Sequence, residues 1–202
     1  MRANINDYLS NQKESNNTYV IGSVEIKEDA LDKKIEIGGG AVIKDGKLVD
    51  RIDSREAMSY NLLTNKVNKG TLEISNPQDE KGFITLEILG NNTNSSLIYD
   101  NTRIKLVKDL KLRVSIAEIQ GRAIVDKELL DYIKASKEKE IEAYLENSFR
   151  KYKEQGIDVF DIARLLNINY PKETIDNPIS ITDLEVNVDL TIEGTGIVKD
   201  SL

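Results

Sequence analysis

Cysteine, histidine and tryptophan are absent from the 202 residues, and proline and phenylalanine occur only 3 times each. Without a thiol there is no disulfide, no thiolate nucleophile and no thiol redox centre. Without an imidazole there is no Ser–His dyad and no histidine-ligated zinc or haem. Long apolar runs are missing as well. No stretch approaches the roughly 18 consecutive apolar residues of a membrane-spanning helix. The opening MRANINDYLSNQKESNNTY has neither an apolar core segment nor a small-residue cleavage site, so the chain by itself reads as soluble, without a signal peptide. Positive charge is in deficit: 28 Lys and Arg face 35 Asp and Glu, a net charge of −7. That balance argues against unaided binding to nucleic acid or to an anionic lipid surface.

What is present is sheet-forming. Ile outnumbers Leu, 25 to 20, which favours strands at this composition. A short helix is expected over residues 4–13, with Ile5, Tyr8 and Leu9 on one side, followed by a polar break at Glu14–Thr18. IEIGGGAVI, Lys44-Asp45-Gly46 and KLVDRI read as two strands around a hairpin, because Asp and Gly tolerate the positive φ of a type I′ turn. Ser54 is expected to cap a helix over Arg55–Asn65. Alternation at Leu72 and Ile74, then at Ile84, Leu86 and Ile88, predicts further strands. GNNTNSS, Gly90–Ser96, reads as a loop. Leu110–Ile116 alternates until Ala117-Glu118-Ile119, where a bulge is predicted.

Asp126 is expected to cap the longest helix, Lys127–Glu154, with Gly156 ending it. Its middle, KASKEKE, is charged, so part of it is expected to face solvent. A second helix is expected from Asp158, stopping before Pro171. Its apolar residues exceed a single stripe, so it is either buried on most sides or docked on a partner. A final strand alternates from Leu184 to Ile192. Lys111 and Arg113 are expected beside Glu185, Asp189 and Glu193 on a neighbouring strand. The fold class predicted is α+β: a mainly antiparallel sheet, a long helix in the C-terminal half with shorter helices, and a final strand returning to the sheet. Residues 1–34 read as an N-terminal extension and 35–202 as one domain.

The chemical motifs are few. Gly40 and Gly46 invite a phosphate-loop reading, but five residues separate them, Leu48 stands where Ser or Thr is required, and no helix follows. A strand with a glycine-permitted bulge or close backbone contact leading into the hairpin is the expectation. Glu56 and Asp158 stand out among the acids, yet each has a local task at a helix start. No catalytic residue, cofactor or metal ligand is predicted. Two other readings remain open at this level: a carbohydrate-active enzyme using paired carboxylates, and a small-molecule binding module.

Three passages, GGGAVIKDGKLVDRIDSREAM, KEKEIEAYLENSFRKYKEQGIDVFDIARLLNINYP and ISITDLEVNVDLTIEGTGIV, occur in an order and spacing that resemble the C-terminal domain of spore germinant receptor C subunits, the Ger(x)C (GerAC-like) lipoproteins. Pro171 is not followed by the tryptophan common there, and Asp50 replaces a frequent Gly. The resemblance implies a non-catalytic interaction domain that contributes to receptor assembly and nutrient-triggered germination. It implies integral-membrane A and B subunits as partners, no nucleic acid, and membrane attachment only through a lipid anchor absent from this chain. The implied location is the outer face of the spore inner membrane. The candidate interaction residues are Gly40, Lys47, Leu48, Glu56, Asp158, Phe160 and Pro171.

Overall fold

A computed structural model describes residues 17–28, 33–67 and 69–195. The helix expected over residues 4–13 lies outside them. β1 (Thr18–Glu28), β2 (Lys33–Lys44) and β3 (Lys47–Ile52) form an antiparallel three-stranded sheet in that order. α1 (Ser54–Leu63) leads to a second sheet, ordered β4 (Thr71–Ser75), β5 (Phe83–Tyr99), β6 (Ile104–Ile119) and β7 (Thr182–Thr195). Between β6 and β7 run α2 (Lys127–Gln155), α3 (Ile162–Asn169) and a 3-10 turn (Pro178–Ile181). β4, β5 and β6 pair antiparallel, whereas β7 pairs parallel to β6. The architecture is the predicted α+β, with the last strand back in the sheet.

The core follows from alternation. In β6, Ile104, Leu106, Leu110, Leu112, Val114 and Ile116 are all at most 1% exposed, and they face α1 and α2. The opposite face of the sheet carries Lys105, Asp109, Lys111 and Arg113 toward solvent. α2, ~44 Å long at 29 residues, lays Leu129, Ile133, Ile141, Leu145, Phe149 and Tyr152 onto this core. Asp126 caps it by accepting from the Leu129 amide, and Gly156 ends it at φ 66°, both as predicted.

Several expectations are corrected. Gly90–Ser96 is not a loop: it continues β5, with Gly90 opposite Arg113 and Ser96 opposite Val107. Its polar side chains are tolerated because they face solvent. Thr93 and Ser95 instead share the inward phase: Thr93 donates from Oγ1 to the Leu62 carbonyl at 2.7 Å, and Ser95 Oγ accepts from Lys108 Nζ at 2.7 Å. α1 is capped by Asp53, whose Oδ1 accepts from the Glu56 amide at 2.8 Å, rather than by Ser54. β1 falls in the stretch read as extension; its Val20 and Val24 sit opposite Val42 and Ile37 of β2. The KASKEKE segment faces solvent in part, as expected: Lys139 is exposed while Lys137 is buried. The bulge expected near Ala117 is present, for Thr85 faces Glu118 while Leu86 faces Ile116. Lys111 lies opposite Asp189, Arg113 reaches Glu193 at 3.2 Å and Lys105 reaches Glu185 at 2.6 Å, the predicted adjacency.

Candidate functional site

The two segments nominated from the sequence meet in space. Asp45 and Gly46 take positive φ, 52° and 73°, and close the β2–β3 turn. Asn17 and Asp45 clamp this turn to the start of β1: the Asp45 amide donates to the Asn17 carbonyl at 3.1 Å, and Asn17 Nδ2 donates to Asp45 Oδ1 at 2.9 Å. Behind the turn, Lys44 Nζ donates to the Gly156 carbonyl at 3.5 Å. A cleft of about 330 Å³ opens between them, lined by Lys44 and Asp45 on one side and by Leu166, Asn167, Glu173 and Asn177 on the other.

The nominated residues divide by exposure. Lys47, Leu48 and Pro171 are exposed, Leu48 to 51%. Gly40, Asp158 and Phe160 are buried, so they shape this surface rather than touch a partner. Gly40 sits between Gly22 and Ile52 in the sheet. Its neighbour Gly39 is at φ +77°, and a Cβ there would lie 2.0 Å from the Ile52 carbonyl; the close approach read from the glycine run is real, and only glycine allows it. Asp158 starts no helix itself. α3 begins four residues later, and the Asp158 carboxylate caps it from a distance, accepting from the amides of Phe160 and Ile162 on Oδ1 and of Ala163 on Oδ2. Burial pushes its carboxyl pKa up while these amides pull it down. Phe160 packs against Phe149 (5.5 Å), Tyr152 (5.8 Å, edge-on) and Tyr60 (6.4 Å) between ring centroids. The apolar surplus of this segment is therefore mostly buried, with Ile168 left 62% exposed.

Glu56 belongs to a second concavity. Both its oxygens accept from Lys151 Nζ, at 2.8 and 3.1 Å, and Asp50 lies 3.3 Å from the same ammonium. This cluster stands at one end of a groove of about 560 Å³ between α1 and α2, floored by Leu72. Burial works to lower the Lys151 pKa, but the hydrogen bond to Glu56 and the nearby carboxylates leave it raised. Both acids singled out from the sequence thus have their oxygens engaged locally. Among the described residues, no group of three or more acidic side chains is arranged to hold a metal ion, and no helix is long and apolar enough to cross a membrane.

The sequence reading missed Lys108. It is 4% exposed, donating to the Leu63 carbonyl at 3.0 Å and to Ser95 Oγ at 2.7 Å. Burial lowers its pKa to about 8, against the pull of Asp161 and Asp158. The signal was available: Lys108 occupies an inward phase between Leu106 and Leu110.

Residues 38–196 match the family model described as spore germination B3/GerAC like, C-terminal. No curated protein matches the chain. A solved structure described as "Crystal Structure of the GerBC protein" is similar, with a TM-score of 0.80 at 18% identity; the match covers 95% of this chain and 61% of that one. At that identity the likeness bears on the fold, and the chain spans less than two thirds of the solved protein.

Proposed function

The chain belongs to the spore germination B3/GerAC-like C-terminal family and is a germinant receptor C-subunit-like domain; on that premise we propose that it is a non-catalytic interaction domain, contributing to receptor assembly and to nutrient-triggered germination. The partners proposed are the integral-membrane A and B subunits. The place proposed is the outer face of the spore inner membrane, reached by a lipid anchor on the full-length protein. The domain proposed, residues 35–202, begins near the matched region at 38, and β1 joins its sheet from the preceding extension.

One observation carries the reading. Two segments far apart in sequence wall one cleft, the β2–β3 hairpin through Lys44 and Asp45 and the stretch around α3 through Leu166, Asn167 and Glu173. Each segment carries exposed residues close by in sequence, Lys47 and Leu48 on the first and Pro171 on the second. Exposed apolar and charged residues of this kind suit protein contact, where a few well-placed side chains carry most of the binding energy. A carboxylate pair for glycoside hydrolysis finds no support in Glu56 or Asp158, whose oxygens are occupied.

The test is a full-length receptor carrying Lys47→Glu with Leu48→Asp, and separately Pro171→Asp. Each surface change should leave the melting temperature of the isolated domain within about 2 °C. Recovery of the subunit with its membrane partners, and the nutrient response of spores, should fall at least about tenfold. Unchanged assembly and germination in both variants would overturn the proposal.

A further inference from the structure

We propose that the groove between α1 and α2 is a binding site for a small molecule with an apolar body and one basic nitrogen. The groove lies away from the cleft described above, so the inference is independent of partner contact.

The walls supply the apolar part. Met58 and Leu62 of α1, Ile141 and Leu145 of α2 and Leu72 of β4 line it. Ser59 of α1 and Ser148 of α2 line it too, small side chains that leave space larger ones would close. At about 560 Å³ the groove lies within the roughly 300–1,000 Å³ range of small-ligand sites. It is too small for the side chains of a whole docked helix.

The ends supply the selectivity. At one end Lys137, only 3% exposed, is neutralised by Glu140 at 2.6 Å. At the other, Glu56 and Asp50 share the single Lys151 ammonium, and Asp53 lines the groove beside Glu56, so acidic groups outnumber the basic one among these residues. Asp50 does not line the groove but reaches its Lys151 from behind, Oδ2 to Nζ at 3.3 Å. The Tyr152 hydroxyl, also outside the lining, is buried without a hydrogen bond. Tyr152 is 0% exposed, and its hydroxyl pKa is raised by burial first and then by the charges of Asp50, Glu56 and Asp53. A ligand cation at the Glu56 end neutralises the excess charge, while its apolar body displaces water from the walls.

4-Phenylbutylamine, 4-phenylbutanol and 4-phenylbutyrate carry one body with three head groups. Titrated at pH 7 into the 202-residue chain with methyl resonances observed, the amine should shift Met58 and Ile141 saturably and bind about tenfold tighter than the alcohol. The butyrate should bind no tighter than the alcohol. Glu56→Gln should remove most of the preference for the amine, and Lys151→Met, which adds to the net negative charge, should increase it. A groove that merely tolerates substitution would not give changes of opposite sign. The proposal is overturned if no head group gives saturable shifts at these methyls, if the butyrate equals the amine, or if the preference is the same in both variants. It is equally overturned if a lysine-ended apolar helical peptide saturates the groove and the amine does not.

Discussion

Single residues decide much of how this fold is held, and the buried charged ones decide how it responds to pH. Lys108 terminates α1 by donating to the Leu63 carbonyl, where a cation also complements the helix dipole. Its pKa of about 8 against 10.5 means that the unfolded chain binds the proton more tightly between these values. Stability should therefore rise as pH goes from 8 toward 10, by at most about 1.4 kcal/mol per pH unit. Above pH 10 the effect is opposed by Tyr60 and Tyr152, whose hydroxyl pKa values are raised mainly by burial: there the folded state keeps protons the unfolded state loses. Urea unfolding at pH 7.5, 8.5 and 9.5 checks this, and Lys108→Met should flatten the rise. Asp158 has the opposite sign of charge and a different task. Asp158→Ala leaves the amides of Phe160, Ile162 and Ala163 without that acceptor, and should cost about 2–3 kcal/mol in the same measurement. Asp158→Asn keeps an acceptor on one side but turns an NH2 toward another amide, so it should recover only part of the loss.

At the scale of elements, β7 shows how an edge strand is closed. It lies at the end of its sheet, and its outward amides would offer a template for another strand. Two glutamates of α2 answer them: Glu142 Oε1 accepts from the Val188 amide at 3.3 Å and Glu138 Oε1 from the Leu190 amide at 2.8 Å. Lys134 holds Glu138 at 3.3 Å and Asp189 at 2.9 Å, fixing helix and strand together. Glu138→Ala should speed hydrogen exchange of the Leu190 amide at least about tenfold while lowering global stability by only about 1 kcal/mol. Unchanged exchange at Leu190 would show that the carboxylate does not guard the edge. Neither glutamate is conspicuous in the sequence, where both read as part of a charged helix face.

For the whole molecule, charge pairs and exposed apolar residues are distributed over two sheets. The outward face of the second sheet is ruled by cross-strand charge pairs, among them Arg103–Asp183, Lys105–Glu185 and Arg113–Glu193. Exposed pairs of this kind contribute about 0–1 kcal/mol each, so they specify strand register more than they stabilise the fold. The three-stranded sheet exposes Val24, Ile26, Ile35, Leu48 and Val49, and β5 of the second sheet exposes Phe83, Leu89 and Ile98. The cleft joins the three-stranded sheet to the α2–α3 segment at Lys44 and Gly156, at the hairpin end that carries Leu48 and Val49, whereas Val24, Ile26 and Ile35 lie toward the other end of β1 and β2. Lys47, Leu48 and Pro171 are exposed, which is why, on the proposed function, their replacement should separate germination from folding.

Local signals by themselves determined a good deal of this protein. The Asp45-Gly46 turn, the Asp126 and Gly156 ends of α2, the bulge near Ala117 and the pairing of basic β6 with acidic β7 all rest on short-range chemistry or on period-two alternation. The family, too, was legible in three collinear passages. Contacts between distant segments decided the rest. Gly90–Ser96 has loop composition, yet it is strand because β6 offers it a complete hydrogen-bonding partner. Asp158 caps a helix that starts only at Ile162, because burial of Phe160 bends the intervening chain first. Asp53 outcompetes Ser54 by lying one residue earlier, and Glu56 becomes part of a groove only through Lys151, nearly a hundred positions away. Such choices depend on which surfaces are brought within a few ångströms, which no window of neighbouring residues contains.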